Sequence, residues 1–376
     1  MHVVTDPDGD RGLGPVTIGL LALRVGVLLI ALQVGSARPL TDDLYRFHEI
    51  VTASGTPYRT FPVEYAPGEV LFIERLGSAS PRTLAERFAL VAFLADIATW
   101  AALRYAWGRR AAERYLWMGA PLLVFIYTRF DLVPVAIAAW GASLAAKGSQ
   151  RSGGLSFATA ILTKVWPVVL LPALLVSGRR RGFVWAITSL AIGSGAWLLF
   201  AGWNNVLEVL TFRHGQGWEI ESSVGLAVWI VTGGPVRLTS GAPRVGTAPG
   251  WATAALSLLL LATLAGIWIL ASRRRRGAFG VAAVAAVGAL LACSPLFSLQ
   301  YAAWLLPWGA VAWAEGDRRS ATMVLAVTIL TAVLFIVYQT DRPGLTQILL
   351  FCRNALVVGL PIVWLLPERS LALHPD

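Results

Sequence analysis

The chain has 376 residues, of which 56% are hydrophobic and 14% charged. A water-soluble domain carries about a quarter charged residues, so much of this surface must face lipid. The net charge of +10 does not point to nucleic acid, because no basic stretch is interleaved with aromatic residues as single-strand binders require.

Along the chain, Met1 to Arg11 is polar and holds three aspartates. It lacks the basic start of a signal peptide, so the first apolar run is expected to be a retained span. A span needs about twenty apolar residues. Candidates lie at 16–34, 84–105, 115–126, 132–146, 183–201, 251–271, 279–293, 301–314, 321–337 and 347–366. Between them sit the knots Arg109–Arg110, Arg179–Arg181, Arg273–Arg276 and Arg318–Arg319. Basic clusters so placed mark cytoplasmic loops. The run 155–176 is flanked by basic residues on both sides, so it must cross an even number of times, although it has the length of one span. The break Thr163-Lys164-Val165-Trp166-Pro167 resolves this by making two short half-helices. Such breaks are tolerated only when buried in protein or lining a cavity.

The expected fold is therefore an all-α integral membrane protein, one polytopic bundle over residues 1–376. It has about twelve spans including the two half-helices, and both termini are cytoplasmic. Residues 36–83 form a first extracytoplasmic loop and 202–250 a second extracytoplasmic region. Chemistry belongs on that face. Cys293 and Cys352 are the only cysteines, too few and too far apart for a disulfide scaffold or a zinc site. No P-loop, HExxH, GxSxG or dinucleotide fingerprint occurs, so a soluble nucleotide-driven mechanism is not expected.

Ionisable residues gather at the predicted outer ends. Asp42 and Asp43 follow the first span; a carboxylate there can act as general base, or Asp42 or Thr41 can cap the helix that follows. Arg59 and Glu64 lie in the Pro/Gly/Tyr-rich continuation. Arg129 and Asp131 occupy a short outer turn, either as a local ion pair or as a cation and an acid aimed into one cavity. Lys164 sits at the tip of the half-helices, where it suits phosphate binding or snorkelling to the interface. Arg213 and His214 can grip a lipid-linked phosphate, although a lone histidine is more often structural. Gln300 lies at the outer start of a later span, and Arg353 one to two turns into the last. Arg24 and Asp96, inside spans, are expected to pair with each other and carry no catalytic role.

In order, Asp42-Asp43-Leu44-Tyr45, Gly55…Pro57-Tyr58-Arg59…Val63-Glu64-Tyr65, Arg129-Phe130-Asp131-Leu132-Val133-Pro134, Thr163-Lys164-Val165-Trp166-Pro167, His214…Gly217…Ile220-Glu221-Ser222 and Ser294-Pro295…Gln300-Tyr301…Trp304-Leu305-Leu306-Pro307 together resemble the motifs of GT-C membrane glycosyltransferases. They are most similar to actinobacterial glycosyltransferase family 87, the polyprenol-phosphate-mannose-dependent mannosyltransferases. Two departures stand out. Glu64-Tyr65-Ala66-Pro67-Gly68-Glu69 replaces that family's usual Glu-Tyr-Pro-Pro-Gly-Ala, and Gln216-Gly217-Trp218-Glu219-Ile220-Glu221-Ser222 lacks its arginine and gains an acid.

The resemblance implies a polyprenyl-phosphate-sugar donor, a lipid or glycan acceptor, inversion through an oxocarbenium-like transition state, and no cofactor or obligatory metal. Asp42 or Asp43 would be the base; Arg59, Glu64, Arg129, Asp131, Lys164, Arg213, His214 and Gln300 would bind donor phosphate or substrate. The implied location is the cell membrane, with membrane lipids around the bundle and the active site extracytoplasmic. A twelve-span transporter or lipid flippase, and a non-catalytic member of the same fold, are the competing expectations.

Overall fold

The computed structural model describes residues 12–34, 42–211, 217–239, 241–274, 277–340 and 342–366. Their backbone forms α1 (Pro15–Val34), α2 (Asp42–Thr52), α3 (Pro67–Leu76), α4 (Pro81–Gly119), α5 (Leu132–Ala146), α6 (Gln150–Thr163), α7 (Leu171–Val176), α8 (Arg180–Ala201) and α9 (Trp203–Thr211). Then come β1 (Trp218–Glu219), α10 (Ser223–Thr232), β2 (Arg237–Thr239), β3 (Ala242–Val245), α11 (Gly250–Arg274), α12 (Val281–Cys293), α13 (Leu306–Ala314), α14 (Arg318–Val337) and α15 (Pro343–Leu365).

Among the described residues, six helical segments are long and apolar enough to cross a membrane: Pro15–Gln33, Pro81–Val124, Arg180–Ala201, Gly250–Arg274, Arg318–Val337 and Pro343–Leu365. Several turn their apolar side chains outward; Ile192 on α8 is 68% exposed and Leu258 on α11 is 67% exposed. A helix in water would bury that stripe. The protein is therefore an all-α helical, membrane-embedded bundle.

The longest segment does not run straight. At Gly108 the backbone takes φ 79° and ψ −173°, a region essentially closed to residues with a Cβ. The Tyr115 hydroxyl donates to Asp96 at 2.6 Å, although nineteen positions of continuous helix would separate the two by about 28 Å. The chain thus folds back at Gly108, and α4 is a hairpin of two antiparallel arms. The knot Arg109–Arg110 sits at its turn, as the sequence pattern expects.

The half-helices also return. At one end Lys164, just past α6, reaches Asp131 at 3.0 Å; at the other, Arg179 beyond α7 donates to the Ala146 carbonyl at 2.9 Å. Small residues let α6 sit close to its neighbours, the packing device of membrane helices. A Cβ on Gly154 would stand 2.2 Å from the Gly182 carbonyl oxygen on α8.

Following these contacts, the basic knots fall at a common end. Arg109 meets Glu113 and Thr17 there, Arg114 stacks on Trp313, and Arg274 binds the carbonyls of Trp364 and Leu366. The loops rich in acids as well as arginines gather at the opposite end.

One feature departs from an all-helical expectation. Residues 218–245 form a small antiparallel sheet in the order β1-β3-β2, with Trp218 opposite Val245 and Arg237 opposite Arg244. Trp218, Ile220, Val245 and Ala248 make a second, local core. Its strands have only two to four residues, too short for alternation to register in sequence.

Candidate functional site

The acid-bearing end encloses a cavity of about 1270 Å³, lined among others by Asp43, Arg46, Glu64, Arg129, Glu221 and Tyr338. It draws on segments far apart in sequence.

From the first loop comes the amphipathic α2. Asp42 and Asp43 are its first residues, where carboxylates favour the positive end of the helix dipole. The Asp43 carboxylate accepts from Arg129 Nη1 at 2.5 Å, so the two predicted motifs meet. The Asp42 side chain lies outside what the structure describes. One turn further on, Arg46 holds Glu64 in a two-pronged pair at 2.9 and 2.8 Å and also reaches Glu49 at 3.1 Å. The hydrogen bonds to Glu64 raise the Arg46 guanidinium above its ordinary value. Sequence reasoning named Glu64 but missed Arg46; no spacing rule links positions eighteen apart across an irregular loop.

That loop is shaped by Tyr58, the one described residue other than glycine with positive φ, at 67°. Its buried hydroxyl donates to the Tyr65 carbonyl at 2.7 Å, and burial pushes its phenol up. Arg59, beside it, leaves the cavity and lies exposed over the Phe200 ring, 5.2 Å from its centroid.

Asp131 and Lys164 come together, but behind the cavity lining. Asp131 also accepts from Trp304 Nε1 at 2.7 Å. Trp304 is sandwiched between Trp166, at 5.1 Å between centroids, and Tyr301, at 4.2 Å. Lys164 Nζ stands 5.5 Å over Tyr301. The half-helix tip is thus an anchored layer one residue deep to the cavity, with Tyr301 and Gln300 on its exposed side.

The segment from 217 to 250 supplies a wall. Arg213 and His214 lie outside the described residues. The extra acid of this chain, Glu219, accepts from the Phe297 N–H at 2.7 Å and from Ser298 Oγ at 2.8 Å. It fastens β1 to the Ser294–Gln300 loop instead of standing free. Ser222 caps α10 by accepting from the Gly225 N–H at 2.9 Å. Between them, the Glu221 carbonyl accepts from Arg353 Nη2 at 2.5 Å and Asn354 Nδ2 at 3.1 Å. Arg353 lies ten residues past Pro343, about 15 Å along α15, and this buried contact backs Glu221, whose side chain lines the cavity floor. It sits deeper than the sequence suggested, because α15 begins earlier than the apolar run. Burial pushes the Glu221 carboxyl up to about 8, helped by the Glu219 charge and opposed by Arg353, the Tyr338 hydroxyl and Arg129.

Arg24 and Asp96 pair at 2.9 Å as expected, away from the cavity lining.

The chain matches no model of a known protein family and no curated protein.

Proposed function

We propose that this protein is a membrane glycosyltransferase of GT-C type. It would move a sugar, mannose first among candidates, from a polyprenyl-phosphate donor to a lipid or glycan acceptor. With the basic knots on the cytoplasmic side, the cavity faces the other way; this reading takes twelve crossings with both termini cytoplasmic. The observation that carries it is the meeting of Asp43 and Arg129, from two separate motifs, on the wall of a cavity that also holds Glu64, Gln300 and Tyr301. Carboxylates and amides suit sugar hydroxyls, aromatic rings suit the C–H faces of a sugar, and a guanidinium suits a phosphate.

In the proposed reaction the acceptor hydroxyl attacks the anomeric carbon and passes its proton to a first-loop carboxylate, Asp43 or Asp42. The bond from that carbon to the phosphate oxygen breaks with inversion, and the leaving lipid phosphate takes the electron pair. Arg129 would favour the charge growing on that phosphate. Lys164 would act at one remove, by fixing Asp131 and the tryptophan stack.

A transporter reading finds less support. The mid-helix pair Arg24–Asp96 is closed by Tyr115, Tyr127 and backbone carbonyls, which leaves those carboxylate oxygens committed to internal partners.

The test uses purified protein in liposomes with radiolabelled decaprenyl-phosphate-mannose and a total lipid and glycan acceptor extract. Wild type should transfer label. Asp43→Asn or Asp42→Asn should lower transfer roughly 100-fold or more, the scale of a lost general base. No transfer from wild type, with this donor or its arabinose counterpart, would hand the case to the transporter or the non-catalytic reading.

A further inference from the structure

The cavity floor holds a set of polar atoms that the protein itself leaves unused. Glu221 Oε2, the Tyr338 hydroxyl and Arg353 Nη1 are all buried and make no well-formed hydrogen bond; Glu221 and Tyr338 face each other closely enough to interact. Glu221 is 6% exposed and Arg353 is fully buried, while Glu221 and Tyr338 both line the cavity. Buried polar atoms without a well-formed hydrogen bond are costly to a fold, and here three lie together.

The surroundings hold these atoms in place. The 217–222 turn is tied to α15 through Arg353 and Asn354, to α10 through the Ser222 cap, and to the 294–300 loop through Glu219. The Arg353 guanidinium lies 4.0 Å over the Phe297 ring. A turn whose backbone is fixed from three directions and that presents a side chain to a cavity is what a preorganised recognition site requires.

We propose that Glu221 and Tyr338 form a hydroxyl-recognition subsite that takes the sugar ring of a substrate at the cavity floor. This inference rests on the transferase reading and names the sugar-binding end of the same site. An uncharged polyol suits this end better than a phosphate: the Glu219 charge stands beside Glu221 and offsets Arg353 and Arg129, whereas Arg46 and Arg342 line other parts of the cavity. A carboxyl that keeps its proton near neutrality and a phenol each both donate and accept, as a sugar hydroxyl does.

The deciding experiment titrates methyl α-mannoside into the protein in nanodiscs free of glycoside detergent, read by tryptophan fluorescence, since Trp229 lines the cavity. Wild type should saturate. Glu221→Gln and Tyr338→Phe should each weaken binding roughly tenfold, the effect of one lost hydrogen bond. Tyr338→Phe should change the melting temperature little, because the one interaction its hydroxyl gives up, with Glu221, is not a well-formed hydrogen bond. Should Glu221→Gln fail to fold, the phenylalanine variant alone decides. Absence of saturable binding in wild type, or equal binding by a folded variant, would mean the floor holds water only and would overturn the subsite. Binding that depends on Glu221 and Tyr338 in a protein that transfers no sugar would uphold the subsite while refuting the transferase.

Discussion

Two polar clusters sit inside this apolar bundle, and they are built on opposite principles. Around Asp96 every oxygen is used: Oδ1 accepts from Tyr115, and Oδ2 accepts from Arg24 and Tyr127. Arg24 Nη1 and Nη2 also donate to the carbonyls of Leu20 and Leu116. At the cavity floor, Glu221, Tyr338 and Arg353 keep atoms in reserve. A closed network joins helices where no water can help, whereas an open one at a cavity is organised for something that arrives. Ionisable residues at membrane depth are functional suspects by default, and here partner accounting separates the two cases.

The comparison breaks most visibly at its closed side. Asp96→Ala should cost about 3–5 kcal/mol, the scale of a broken buried ion pair, since it strands Arg24 and two tyrosine hydroxyls together. Thermal unfolding in nanodiscs reads this; a loss below about 1 kcal/mol, the scale of an exposed pair, would show the network to be ornamental. Gly108→Ala should cost about 1–3 kcal/mol by forcing a Cβ into a glycine-only conformation at the hairpin turn. Nothing crowds that Cβ, so backbone strain is the whole effect, and an unchanged melting temperature would argue that the arms do not reverse there.

The smallest effect sharpens the open side. Glu221 has a folded-state pKa raised from 4.5 to about 8, so it binds more protons folded than unfolded. Its contribution is therefore fully present below the unfolded value and is lost as pH rises through about 8. Of the charged groups facing it, Arg353 and Arg129 keep their charge across that window; Glu219 is fixed by the 297–298 hydrogen bonds. The melting temperature of wild type should fall between pH 5 and pH 8, and Glu221→Gln should flatten that slope. Parallel curves for the two proteins would place the titration elsewhere.

Much of the bundle was legible in the chain, because lipid imposes long apolar runs and basic knots that survive as plain composition. The pairing of Arg24 with Asp96 and the return of the half-helices at Lys164 were readable for the same reason: a charge within an apolar run demands a partner or an exit. The site was only partly legible. Asp43 and Arg129 were named separately, but their contact spans eighty-six positions, and no local periodicity encodes it. Arg59 was named and points elsewhere, since the positive-φ turn at Tyr58 decides its direction. Glu219 read only as an added acid; its hydrogen bonds to Phe297 and Ser298 show it to be a fastener. Arg213 and His214 lie outside the described residues.

By itself, then, the sequence determined that this is a helical membrane protein with its basic loops at one end and its candidate chemistry at the other. Hydropathy and charge are sums over neighbouring residues, and a bilayer acts on those sums directly. The tertiary structure alone decided which acids are spent and which are free. That distinction depends on hydrogen-bond partners brought from distant helices, and no stretch of chain carries it.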